Sequence, residues 1–160
     1  MKTLVIGLGN PILGDDGVGW KVAEAISRQL PVASNQSSIE VDCASLGGLS
    51  LMERMLGYQR VILVDSMESG QGAVGSVRVF PLLALPNPMA SHSASAHDTS
   101  LMAALQVAQA MGADVPERVD VVAIESKNTC DFSEELSPKV AAAVPVAAHK
   151  ILDLLKKELV

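Results

Sequence analysis

Residues Lys2 to Leu8 read K-T-L-V-I-G-L and run straight into Gly9-Asn10-Pro11. A short apolar run rich in branched side chains, ended by a proline that lacks the donor a continued ladder needs, predicts a buried strand and an enforced turn. From Gly17 the period changes. Val18, Val22, Ala25, Ile26 and Leu30 recur at helical spacing and predict a helix that Pro31 stops.

Working outward, Ser38 to Asp42 is a second strand candidate, and Leu49 to Leu56 a shorter helix closed by Gly57. Arg60 to Asp65, R-V-I-L-V-D, carries four consecutive apolar residues, as a central strand covered on both faces does, and Asp65 stands at its end. Gly70 to Gly75 reads as a turn into the strand Ser76 to Phe80. With little chain left for a crossover, that strand is expected to be antiparallel or peripheral.

Pro81 to Ser95, rich in proline, serine and asparagine, predicts a loop. Asp98 or Ser100 is the expected cap of the next helix, whose apolar face is Leu101, Leu105, Ala108 and Met111. Arg118 to Glu125 is the last strand and Ser126 to Glu135 a polar loop. Ser137-Pro138 then opens a long helix with a capping hydroxyl and a proline in first position. Val140, Val144, Ala147, Ile151 and Leu155 mark its buried face, and Pro145 predicts a local bend. Together these elements predict an α/β fold, a three-layer α/β/α sandwich with a mostly parallel twisted sheet and one antiparallel strand, in a single domain over residues 1–160.

A chain of 160 residues buries roughly two thirds of its unfolded surface in one core. Apolar residues make up 49% and aromatic ones 2%, so aliphatic side chains and methionine fill that core and little is left to stack on nucleic-acid bases. The formal charge of -6, with no basic run, argues against nucleic acid and anionic membrane surfaces as partners. The opening residues do not form a secretory leader, and Leu4 to Leu8 is far too short to cross a bilayer. The expectation is a soluble, cytoplasmic protein with no membrane insertion. Cys43 and Cys130 have no C-x-x-C partner and are expected to be two buried free thiols.

Sites in open parallel sheets gather beyond the carboxyl ends of the strands. The segment Gly7 to Gly19, G-L-G-N-P-I-L-G-D-D-G-V-G, puts two acids between a strand and a helix. Its glycines do not have the G-x-G-x-x-G spacing and no P-loop lysine follows, and two acids repel a phosphate at a helix start. Asp15 and Asp16 serve either as helix caps or as site carboxylates. A pair is best explained if one caps while the other faces the sheet edge. Asp65, after V-I-L-V, is expensive to bury without a partner. His97 lies at the mouth of the next helix, where its loop can bring it to the strand-end acids; His92 and His149 are the remaining imidazoles. Two carboxylates and one imidazole form a three-ligand set for Zn or Ni that leaves room for water or substrate.

The opening L-V-I-G-L-G-N-P-I-L-G-D-D-G-V-G, the strand end I-L-V-D, the segment S-A-H-D-T-S-L, and the late I-E-S-K and L-S-P-K-V together resemble the hydrogenase maturation proteases. The resemblance spans nearly the whole chain. It implies a monomeric endopeptidase that removes the carboxy-terminal extension of a nickel-iron hydrogenase large-subunit precursor after nickel insertion. The partner it implies is the nickel-loaded precursor and the cofactor is nickel carried by that substrate, with no tightly bound organic cofactor. The metal-contacting positions match Asp16, Asp65 and His97. A further acid of the family, usually within D-G-G-T, matches Asp42 in D-C-A-S, where both glycines are replaced and Cys43 enters the segment. Nickel then polarises a carbonyl or activates water, or it only positions the precursor while a carboxylate acts as base; the residues do not choose.

Two other readings stay open at this stage. G-L-G-N-P also resembles the opening of peptidyl-tRNA hydrolases, although G-D-D-G and the lack of a basic surface speak against that. A nickel-binding chaperone that inspects the precursor without cutting it would use the same three ligands. Specificity between hydrogenase isoenzymes is expected in the 81–97 and 126–137 loops.

Overall fold

β1, Thr3–Leu8, is buried along its whole length, as a strand covered on both faces must be. The computed structural model describes residues 1–30, 38–84 and 96–157. Around β1 lie β2 (Ile39–Ala44), β3 (Arg60–Met67), β4 (Val77–Pro81) and β5 (Arg118–Glu125), in the order β2-β1-β3-β5-β4. All neighbours pair in parallel except β4, the edge strand, which is antiparallel to β5. The mixed sheet and its single antiparallel strand are those read from the sequence.

Four helices cover the sheet: α1 (Val18–Gln29), α2 (Gly48–Met55), α3 (Ala96–Ala110) and α4 (Pro138–Lys156). Strand alternation sorts the core into two halves. Leu4, Ile6, Val61 and Leu63 pack with Leu51 and Met55 of α2 and Leu101 of α3. Val5, Ile62 and Val64 pack with Val22 and Ile26 of α1 and Ala147 and Ile151 of α4.

From β1 the chain goes out to β2 through α1, then returns past β1 to β3 through α2. The direction of winding therefore reverses between β1 and β3, and a crevice opens beyond their carboxyl ends. At the opposite end Arg60 and Asp120, both buried, meet at 2.9 Å and tie β3 to β5, with Arg118 reaching the same carboxylate.

Several details depart from the sequence reading. β2 and β3 run two residues beyond Asp42 and Asp65, because Cys43 and Ala44 pair with Gly7 and Leu8, and Ser66 and Met67 pair with Ile124 and Glu125. Asp98 and Ser100 are not caps, since α3 already starts at Ala96. Met111 lies beyond α3 and is 81% exposed, so it is not core. Cys43 is half-buried and Cys130 exposed, both free. The Ser137 hydroxyl does not cap its own helix; it turns to Asp15. α4 continues as one helix through Pro145. Of the expected loop, Leu82–Ala84 form a 3-10 turn, while residues 85–95, His92 among them, lie outside the described residues.

Candidate active site

The glycines of the first segment let backbone approach backbone. A Cβ on Gly19 would stand 2.4 Å from the carbonyl oxygens of both Leu8 and Val64, and one on Gly7 would meet the Gly19 oxygen at 2.2 Å. α1 therefore begins directly on β1 and β3. Gly9, at φ +126, turns the chain under the Asp16 carbonyl, where a side chain has no room. This close contact seats the 3-10 turn Gly14–Gly17, with both acids, over the strand ends.

The two acids then part company. Asp16 is half-buried and faces β3: its Oδ2 accepts the Asn10 amide at 2.8 Å and its Oδ1 accepts the Ser66 hydroxyl at 3.1 Å. The Ser66 amide donates to Asp65 Oδ1 at 2.8 Å, so Ser66 joins both carboxylates, one through its side chain and one through its backbone. A carboxylate offers about four lone-pair sites, so these two bonds leave Asp16 capacity for a cation. Asp15 is buried at 1% exposure, and its oxygens accept the amide and hydroxyl of Ser137 at the start of α4. Its negative charge also suits the amino end of that helix.

α3 carries His97 as its second residue. The segment after α3 is fixed to the start of β3, with the Gly57 amide on the Asp114 carbonyl and the Glu117 amide on the Gln59 carbonyl. The carboxyl end of α3 therefore lies toward the amino edge of the sheet. The His97 side chain lies outside the described residues. Among those residues no three His, Cys, Asp or Glu side chains gather as a metal site.

Asp42 lies opposite Ile6 within β2, and its carboxylate is committed to the Cys43 amide at 2.8 Å and Arg54 Nε at 2.9 Å. Arg54, on α2, also pairs with Glu40 and reaches the Tyr58 hydroxyl at 3.0 Å, while that hydroxyl donates to Glu40 at 2.6 Å. The Tyr58 hydrogen bond, with help from Arg54 and Lys2 against the cost of burial, holds the Glu40 carboxyl below its usual range. The Tyr58 contact foremost, with Asp42 and Glu40, stabilises the charged Arg54 guanidinium. Sequence reasoning missed this cluster; its one signal is that Glu40 and Asp42, two apart on a strand, share a face. Next to it the half-buried Cys43 thiol lies 3.9 Å from the Trp20 carbonyl and is pushed up by burial, then by Glu24 and Asp42.

Glu125, 2% exposed at the carboxyl end of β5, was also missed as a site neighbour. It accepts the Ser69 hydroxyl and Gly70 amide at 2.9 Å and Arg78 at 3.1 Å, and so fixes the turn that leaves β3.

These features define a doubly wound α/β protein with anchored carboxylates at its topological switch point. Residues 20–154 match the family model described as hydrogenase maturation protease, and the chain belongs to that family. It is accordingly a protease of hydrogenase maturation, a family whose substrate is a hydrogenase large-subunit precursor. It is 24% identical over 155 residues to the hydrogenase expression/formation protein HupD of Rhizobium leguminosarum bv. viciae, covering 97% of this chain and 74% of that protein. To the hydrogenase 2 maturation protease of Escherichia coli it is 22% identical, with 98% and 92% covered. The structure of the E. coli hydrogenase maturating endopeptidase HybD shares the fold at a TM-score of 0.76 and 22% identity, over 99% of this chain and 94% of that one. Among the described residues no helix is long and apolar enough to cross a membrane.

Proposed function

We propose that this protease removes the carboxy-terminal extension of a nickel-iron hydrogenase large-subunit precursor only after nickel is in place, and that the substrate's nickel is its recognition element. The observation that carries the reading is the Ser66 bridge, which holds Asp16 and Asp65 together at the switch point. Oxygen donors from these two acids, joined by the imidazole of His97 from the first turn of α3, form an open three-ligand set suited to nickel. Nickel held by the precursor registers the scissile peptide against this edge. The metal then acts as a Lewis acid toward the carbonyl or water, or a carboxylate takes the proton of an attacking water. Asp42 acts near the peptide as the third functional acid, held in place by Arg54. In this reading the enzyme works as a monomer in the cytoplasm and needs no organic cofactor.

The test is the intact mass of the matched precursor, with and without nickel, after incubation with the protein and with Asp16→Asn and His97→Ala variants. Loss of one carboxy-terminal peptide from the nickel-loaded form alone, suppressed in both variants, is the expected result. Cleavage of the nickel-free form at the same rate overturns metal recognition. Nickel-dependent binding with no change in mass replaces cleavage with a chaperone role.

A further inference from the structure

The turn after β1 and the 126–137 loop join in a small ladder. Ser133 donates its amide to the Ile12 carbonyl at 3.0 Å, Gly14 donates to the Ser133 carbonyl at 2.8 Å, and Leu13 pairs in parallel with Ser133. That bridge places Ile12 and Phe132, the residues that precede its two members, side by side along the chain. Both face solvent: Ile12 is 46% and Phe132, one of two phenylalanines in the chain, 85% exposed. The same turn supplies the Asn10 amide that holds Asp16, and the Ile12 amide donates in turn to Asn10 Oδ1 at 3.2 Å, which ties Ile12 to the residue that anchors the carboxylate. Asp131, Glu134 and Glu135, all exposed, lie within three residues of Phe132.

We propose that Ile12 and Phe132 form an apolar shelf beside Asp16 that seats an apolar side chain of the precursor, in a stretch with lysine or arginine next to it. The apolar pair supplies the contact area and the three acids around it supply the charge complement. The proposal rests on the protease reading for its occupant. Exposed aromatic anchors of this kind carry a large share of recognition energy when a partner covers them.

The experiment uses the full chain and the matched nickel-loaded precursor, measuring both cleavage kinetics and the dissociation constant. Phe132→Ser and Ile12→Ser are expected to raise KM and Kd about tenfold, the scale of one lost anchor, with kcat within about twofold. Phe132→Leu recovers most of the loss. Glu134→Lys with Glu135→Lys weakens binding further. Met111→Ser, at an equally exposed apolar residue beyond the far end of α3, leaves both constants unchanged. Wild-type KM and Kd in Phe132→Ser overturn the shelf, as does sedimentation showing that Phe132 instead holds two copies of the chain together. If wild-type protein binds through Phe132 yet cuts nothing, the shelf stands and the protease reading falls.

Discussion

Asp15 and Ser137 are joined twice: the buried carboxylate accepts the serine amide at 2.7 Å and its hydroxyl at 2.8 Å. Its neighbour Asp16 turns the other way, onto Ser66 at the end of β3. The tandem acid is therefore a division of labour. One member locks the start of α4 to the first turn, and the other stands at the crevice.

The division separates stability from activity. Bonds to a buried charge contribute about 1.5–3 kcal/mol each and do not simply add, so Asp15→Ala should cost about 2–4 kcal/mol in chemical denaturation. Asp16→Asn should leave the midpoint almost unmoved while lowering precursor cleavage about a hundredfold or more, the scale of losing one acid or base in such a site. Equal destabilisation by the two variants would remove the distinction.

Gly19 should tolerate nothing larger. Its Cβ would fall 2.4 Å from two backbone oxygens, which cannot move without separating α1 from β1 and β3. Gly19→Ala is expected to cost about 3 kcal/mol or more, the upper end of overpacking. Gly57→Ala meets no atom within 4 Å and suffers only its φ of +81, a penalty of about 1 kcal/mol. Denaturation curves of the two variants check the order; a milder effect at Gly19 would mean that α1 is not fixed by this contact.

The strands were legible wherever burial on both faces leaves an unbroken apolar run, as in Leu4 to Ile6 and Val61 to Val64. Their ends were not, because pairing of Cys43 and Ser66 depends on the neighbouring strand and not on their own polarity. The residues alone did not say which of Asp15 and Asp16 faces the sheet edge, and only the resemblance singled out Asp16, since the partner that holds Asp15 lies 122 residues away. Asp42 could be marked as an acid, but Arg54 reaches it from another element by a tertiary contact that no spacing encodes. His97 was marked by its place at the mouth of a helix and again by the resemblance, and it is the second residue of α3.

The Glu40–Tyr58–Arg54 cluster should give a small acid-side pH dependence. The carboxyl of Glu40 titrates lower in the folded protein than in the unfolded chain, chiefly because of the Tyr58 hydroxyl. Its contribution is thus complete above the unfolded value and is lost as pH falls through the folded one. The side chain is 48% exposed, so solvent screening limits the effect to under about 1 kcal/mol. Glu40→Gln should flatten the decline in urea midpoint as pH falls below the ordinary glutamate value, and Tyr58→Phe should do most of the same. An unaltered slope in both would assign acid sensitivity elsewhere.

The two thiols should react in separate phases. Cys130 is exposed, whereas Cys43 is half-buried near the Trp20 carbonyl, with its thiol pushed up by burial and by the acids Glu24 and Asp42. Since the thiolate is the reactive form, a maleimide at mildly alkaline pH should modify Cys130 first and Cys43 about tenfold or more slowly. Intact mass over time should show a singly labelled species accumulating, and peptide mapping should place that label on Cys130. Raising the pH should accelerate the second phase, and its progress should be visible in the emission of Trp20, the only tryptophan in the chain. Equal rates at the two cysteines would mean that the β2 edge opens freely, and the Asp42–Arg54 contact would then not hold that segment shut.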